Sequence, residues 1–232
     1  IKNKNITQGG ITASQEHHNI IMNKKEFQLE NNYNHKFKII IDGKAGSGKT
    51  TVAKILSELL NIITIDTGYI LKATSLKLYT KKINMKNLDI TYCKNIIKNL
   101  TLSDLTLNNL DSKKLLPITS LLAQNKIVRS AFNKKIKEFS RLFNSFIFTG
   151  RDTGSQVFKN DINTFNFFFD VSNKICAERK MNKSKIKKDY DSTILRNKND
   201  QQVFKLNNKT IILKNNYDNP LEITSKILKK LF

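Results

Sequence analysis

Lys49 and Thr50 close the run Gly43-Lys44-Ala45-Gly46-Ser47-Gly48-Lys49-Thr50, which follows an apolar stretch at 37–41 and Asp42. Strand, glycine-rich loop, then Lys-Thr is the order a phosphate-binding loop requires. Glycine lets successive backbone N–H groups turn inward around a phosphate with no Cβ in the way. Lys49 can reach the β- and γ-phosphates, and the Thr50 hydroxyl can ligate Mg²⁺. Thr51 opens a segment, 51–60, whose apolar residues recur at helical spacing, so the anion would also meet a helix N-terminus. With only 8 glycines in the chain, chance agreement with the whole pattern is improbable. These residues predict a bound nucleoside triphosphate.

Two more segments place charged groups where a strand is expected to end. Asp66-Thr67-Gly68 follows the apolar run 62–65, and Gly150-Arg151-Asp152-Thr153-Gly154 follows 146–149. Asp66 can hold a metal-bound water, and Thr67 can meet a second phosphate. Arg151 offers a cation for an anionic group, and Asp152 an acceptor for an amine or hydroxyl. Ser120 and Arg129 flank the start of a helix inside 83–140. Each has a plainer reading as well: Asp66 and Asp152 as turn or cap residues, Ser120 as helix surface.

The elements that must position these groups alternate. Strands are predicted at 37–41, 62–65, 146–149, 165–169 and 210–213, and helices at 49–60, 69–81, 172–182, 190–200 and 220–231. Residues 83–140 read as mainly helical, with the alternating run 100–107 as a short strand. This is the pattern of an α/β fold with an open, mainly parallel sheet, which binds ligands at the strand C-terminal ends. Residues 1–35 are polar and aperiodic, a tail or the remnant of an upstream segment. Their Gly9-Gly10 and His18–Met22 are weakly similar to a stretch near the C-terminus of EPSP synthase, without its Asp and Arg.

The 232 residues suit one main domain with embellishments. Cys93 and Cys176 are too few and too isolated for a disulfide framework or a zinc site, and a reducing cytoplasm is the expected location. No apolar stretch is long enough for a membrane span. The net charge of +22 would ordinarily suggest nucleic acid. Here lysine is spread among abundant Asn and Ile, which reads as a coding bias rather than a basic face, so nucleic-acid binding is not expected. Only five of the 41 basic residues are arginine, so each arginine is informative for its planar donor fork.

Taken together, these segments resemble bacterial cytidylate kinase, a nucleoside monophosphate kinase of the phosphate-loop class. The family's Ile-Asp-Gly-Pro-Ala-Gly-Ser-Gly-Lys is matched by 41–49, with Lys44 in place of Pro. Its Asp-Thr-Gly followed by Arg is matched by 66–68 and Lys72. Its Gly-Arg-Asp-Ile-Gly-Thr-Val-Val-Phe is matched by 150–158, and its Ser nine residues before an Arg by Ser120 and Arg129. The resemblance implies a phosphate-loop kinase fold with a parallel central sheet, a nucleotide-binding insertion at about 83–140 and a short lid at about 180–200. It implies ATP-dependent phosphorylation of CMP and dCMP, with Mg²⁺, by a cytoplasmic monomer.

By the same resemblance Lys49, Arg151 and Asp66 are catalytic, and residues 43–51 with Arg179 bind ATP. Thr67, Lys72, Ser120, Arg129, Arg151, Asp152, Arg196 and Asp200 bind CMP, and Thr50 and Asp66, the latter through water, serve the metal. Arg196 and Asp200 at i and i+4 also suit a helix salt bridge, and Arg179 beside Glu178 a solvated face. The chain departs from the family where Lys72 replaces Arg and where Cys176 and Val203 stand in place of arginines. Lys205 or a lid lysine is a candidate substitute. The alternative is a nucleotide-binding relative with eroded catalysis, or a basic nucleic-acid-binding protein.

Overall fold

In the computed structural model, which describes residues 36–84, 87–200, 206–216 and 219–232, the predicted alternation becomes a five-stranded sheet. The strands are β1 (Lys38–Gly43), β2 (Ile63–Asp66), β3 (Phe146–Gly150), β4 (Thr164–Asp170) and β5 (Thr210–Lys214). They run parallel in the order β2-β3-β1-β4-β5. The strands buried on both faces are near-continuous apolar runs, as a parallel sheet covered by helices demands.

Alternation along β1 decides which layer each side chain enters. Ile39 and Ile41 join Ile147, Phe167 and Phe169 in a core under α1 (Lys49–Leu60), which adds Val52 and Leu56. The C-terminal helix, Pro220–Leu231, adds Ile223 and Ile227 to the same core. Ile40, Phe146 and Phe148 face the other way, against α2 (Gly68–Thr80), α3 (Ile90–Lys98), α4 (Leu116–Gln124) and α5 (Lys126–Ser140). The insertion therefore belongs to one face of the sheet and shares its core.

Asn125 sets the start of α5: its side-chain oxygen accepts from the N–H groups of Ile127 and Val128 at 2.9 and 3.1 Å. Lys135, 2 % exposed on α5, donates to the Lys98 carbonyl at 2.5 Å and to that of Leu100 at 3.1 Å. A buried cation satisfied in this way ties the insertion's helices together.

The run 100–107 is a correction to the sequence reading. It forms a 3₁₀ turn, Ser103–Thr106, and not a strand. Asp104 accepts from the Thr101 N–H at 2.8 Å, a local side-chain bond that competes with strand pairing, while Leu100 and Leu105 pin the turn to the core. The two helices expected around 183–189 are longer than predicted: α7 spans Asn173–Ser184 and α8 Lys188–Asp200. Lys185 adopts φ 60° and ends α7 in the left-handed conformation, so only three residues separate the pair. α6 (Thr153–Gln156) is a single turn after β3, and α9 (Pro220–Leu231) closes the fold as expected.

No helix among the described residues is long and apolar enough to cross a membrane. Residues 1–35, including the stretch similar to EPSP synthase, lie outside the described residues, as do Val203, Lys205 and the side chain of Asp200.

Candidate active site

Parallel pairing brings the predicted strand ends to one edge. Asp42 is in register with Gly150, Asp66 with Thr149, and Gly43 with Phe169. The loop after β1, the turn after β2 and the Arg151-Asp152 pair after β3 therefore open into the same crevice.

The loop itself is held by backbone geometry. Gly46 (φ 85°) and Gly48 (φ 93°) take conformations that L side chains rarely adopt, and a Cβ on Gly46 would lie 2.3 Å from the Cys176 carbonyl oxygen. Lys49 curls over its own loop, donating to the carbonyls of Gly43 at 2.7 Å and Lys44 at 2.6 Å. Lys44 reaches the Val171 carbonyl at 2.8 Å. Thr50 and Thr51 are exposed at the start of α1, on a cleft of about 320 Å³ that Gly48, Lys49 and Lys180 also line. Burial, with Arg151 nearby, lowers the Lys49 ammonium to about 8, while Asp66 and Asp42 oppose the shift.

Three residues that sequence reasoning missed hold this loop. Asn197, fully buried on α8, accepts from the Ala45 N–H and donates to the Ala45 carbonyl, both at 3.0 Å. Asn215 donates to the Ser47 carbonyl at 3.0 Å. Asp42, 6 % exposed, accepts from the Gly154 N–H at 2.7 Å and so ties the loop's strand to the turn carrying Arg151 and Asp152. Burial above all pushes the Asp42 carboxyl up to about 7, against the pull of that hydrogen bond.

Arg179 is not a solvated face: it lines the same cleft as Lys49, Thr50 and Thr51. Its guanidinium donates to the carbonyls of Asn215 at 2.8 Å, Asn216 at 3.2 Å and Ser47 at 3.4 Å, bracing the loop. Thr67 differs from expectation. It is 2 % exposed, and its hydroxyl donates to the Thr149 carbonyl at 3.0 Å, closing the edge between β2 and β3 instead of facing a phosphate.

Asp66 accepts from the Gly68 N–H at 2.9 Å through Oδ1, so it caps its turn beside Lys49 and Arg151. Burial and the neighbouring Arg196 pull Arg151 down to about 9, with Asp66 and Asp152 offsetting. Arg196 is exposed as a residue on α8, yet the protein around its guanidinium lowers its pKa, and Asp66 opposes that shift. Lys180, another residue missed, is exposed as a residue, yet the protein around its ammonium, with Arg196, Lys72 and Lys183, lowers its pKa. It supplies a cation one turn beyond Cys176, which is itself buried.

On the far side, Arg129 and Asp152 form an ion pair although they lie on different elements. Asp152 is 5 % exposed, and its side chain makes no helix-cap bond. Burial raises its pKa, and Arg129 opposes that shift. Arg129 also lies 5.5 Å from the Phe132 ring centroid. Lys72 pairs with Asp111, a partner 39 residues away that the sequence did not reveal. Ser120 is exposed on α4, its hydroxyl 3.4 Å from Gln124 Nε2.

Among the described residues no cluster of three or more His, Cys, Asp or Glu could hold a metal on its own. An exposed Thr50 hydroxyl and the second oxygen of Asp66 instead suit Mg²⁺, which takes few protein ligands and completes its shell with phosphates and water.

Residues 39–202 match the family model described as cytidylate kinase. A curated cytidylate kinase of Clostridium botulinum is 30 % identical over 162 residues, covering 65 % of this chain and 71 % of the relative. One from Fusobacterium nucleatum is 33 % identical over 132 residues, covering 53 % and 59 %. A solved structure of an uncharacterized protein from Eubacterium ventriosum shares the fold, with a TM-score of 0.51 and 16 % identity over 84 % of this chain and 98 % of that one. The chain belongs to the cytidylate kinase family.

Proposed function

We propose that this chain transfers the γ-phosphoryl group of ATP to CMP and dCMP, giving CDP and dCDP, as a step of pyrimidine nucleotide metabolism. The observation that carries the reading is the ion pair of Arg129 with the buried Asp152, near Arg151, Asp66 and Lys49. Arg129 takes one carboxylate oxygen of Asp152, and the other accepts the exocyclic amine of cytosine. Uracil offers a carbonyl at that place, so a buried acceptor would face an acceptor.

The donor nucleotide lies on residues 43–51, its phosphates on the inward N–H groups and the α1 N-terminus. Lys49 exchanges the loop carbonyls for phosphate oxygens. Thr50 and, through water, Asp66 hold the Mg²⁺ that enters with ATP and neutralises charge on the phosphates. Lys72 and Arg151 hold the CMP phosphate, Ser120 adds a contact to the base, and Arg196 with Asp200 reaches ribose and phosphates. Arg179, on the cleft beside the loop, adds a cation on the ATP side, and Thr67 acts through the backbone it holds. The reaction needs little covalent work from the protein: it aligns acceptor and donor in line and neutralises the transferring group. Lys180 and Arg196 supply cations from the lid, where Cys176 offers none.

A coupled assay of ADP formation with CMP, dCMP, UMP, AMP and GMP tests the reading. CMP and dCMP are expected to be turned over fastest. ATP bound with no acceptor turned over would overturn it.

A further inference from the structure

Asp111 lies between the 3₁₀ turns Ser103–Thr106 and Lys113–Leu115 of the insertion, on a stretch to which phosphoryl transfer assigns no role. Leu110 and Leu115, at 1 and 2 % exposure, pin that stretch to the core on either side. The Asp111 carboxylate faces α2: one oxygen takes the Lys72 ammonium, and the other accepts from the Tyr69 hydroxyl at 2.9 Å. Tyr69 and Lys72 are three residues apart on α2, and the ammonium lies 4.1 Å from the Tyr69 ring centroid. Together they form a two-donor seat for an anion. The Lys180 ammonium acts on both Asp111 and Lys72, so the surroundings of the seat are cationic.

We propose that Asp111 is an internal stand-in for the acceptor's phosphate, seated on Lys72 and the Tyr69 hydroxyl in the empty enzyme and displaced when the nucleotide arrives. This rests on the assignment of Lys72 to the CMP phosphate. A phosphate group offers the same seat the same kind of oxygens with more negative charge. The pair is partly exposed, 23 % for Lys72 and 42 % for Asp111, so it is a weak, exchangeable contact and not a permanent brace. Two residues on, Lys113 holds Asp189 of the lid helix at 2.7 Å, so the displaced carboxylate stays tethered near its seat and can return when product leaves. Without Asp111, Lys72 and Lys180 would face each other without that compensating charge. Asp111 thus makes the empty site tolerable and sets the acceptor's apparent affinity, while Tyr69 becomes a hydroxyl donor to the phosphate.

The test compares KM for CMP and for ATP in the full chain carrying Asp111→Asn, Asp111→Ala, Lys72→Met, or Lys72→Met with Asp111→Asn. Removing the competing carboxylate should lower KM for CMP by about threefold to fivefold at low ionic strength, fading as salt screens the pair. KM for ATP should not follow, and in the Lys72→Met background the Asp111 effect should vanish. A brace holding Lys72 in place would give the opposite sign. If Lys72→Met raises KM for CMP while both Asp111 variants leave it unchanged or raise it, the stand-in is overturned and the Lys72 assignment survives. If Lys72→Met leaves KM for CMP unchanged, the assignment itself fails and takes the stand-in with it.

Discussion

The two halves of the crevice are held by different kinds of contact. On the proposed donor side, Lys44, Lys49, Arg179, Asn197 and Asn215 all bond to backbone carbonyls, and the loop keeps its shape through glycine conformations that other residues rarely adopt. On the proposed acceptor side, charged side chains hold one another: Arg129 with Asp152, Lys72 with Asp111, Lys113 with Asp189. Backbone partners fix the shape of the loop, whereas a partly exposed ion pair such as Lys72–Asp111 can be exchanged for ligand groups.

The sharpest way to break this contrast is Lys49→Ala. Loss of the loop's transferable cation should lower kcat by about a thousandfold or more, measured in steady state with saturating CMP. A loss of less than tenfold would make Lys49 a structural prop for its own loop. Next in size is Arg129→Ala, which strands the buried Asp152 carboxylate. It should reduce kcat/KM for CMP by about a hundredfold or more, with a much smaller change in KM for ATP. Equal changes for both nucleotides would mean that the two halves are not separable.

Asp42 links the halves and gives a pH signature. Its carboxyl titrates near 7 in the folded protein against an ordinary value of 3.8, so the native state binds the extra proton between those values. Stability from this group is therefore present at low pH and lost as pH rises through that window, by about 4 kcal/mol once both states are ionised. Asp42→Asn should raise the denaturation midpoint more at pH 8 than at pH 5, and an equal change at both values would contradict the buried-acid account. Lys49, lowered to about 8, predicts that kcat/KM for ATP falls above that pH as the free enzyme loses the cation. Smallest is Asn197→Asp, which can accept from the Ala45 N–H but no longer donate to its carbonyl. It should raise KM for ATP by about tenfold and leave KM for CMP nearly constant.

The contrast also explains what was legible in the sequence. The donor loop announces itself because its glycines, lysine and threonine are adjacent in the chain, and the strands because β1 and β4 are apolar runs. The acceptor side could be placed only where a family pattern named the residues. Lys72–Asp111 joins residues 39 apart, and Arg129–Asp152 residues 23 apart, through packing that no local spacing encodes. Asn197 and Asn215 were hidden by composition, since asparagine is common throughout the chain. Asp111 was not hidden in the same way. With 19 acidic residues against 41 basic ones, acidic residues are the scarcer charge, and that signal was available. Thr67 misled because a polar residue beside a phosphate site can equally serve the backbone beneath it.

The account stands on the carboxylate of Asp152 selecting the acceptor base, and the ratio of kcat/KM for CMP to that for UMP measures this most directly. In Asp152→Asn the side-chain amide can donate to the uracil carbonyl, so the ratio should fall by about tenfold or more from its wild-type value. A ratio unchanged by the substitution would remove Asp152 from base recognition and contradict the acceptor site described above.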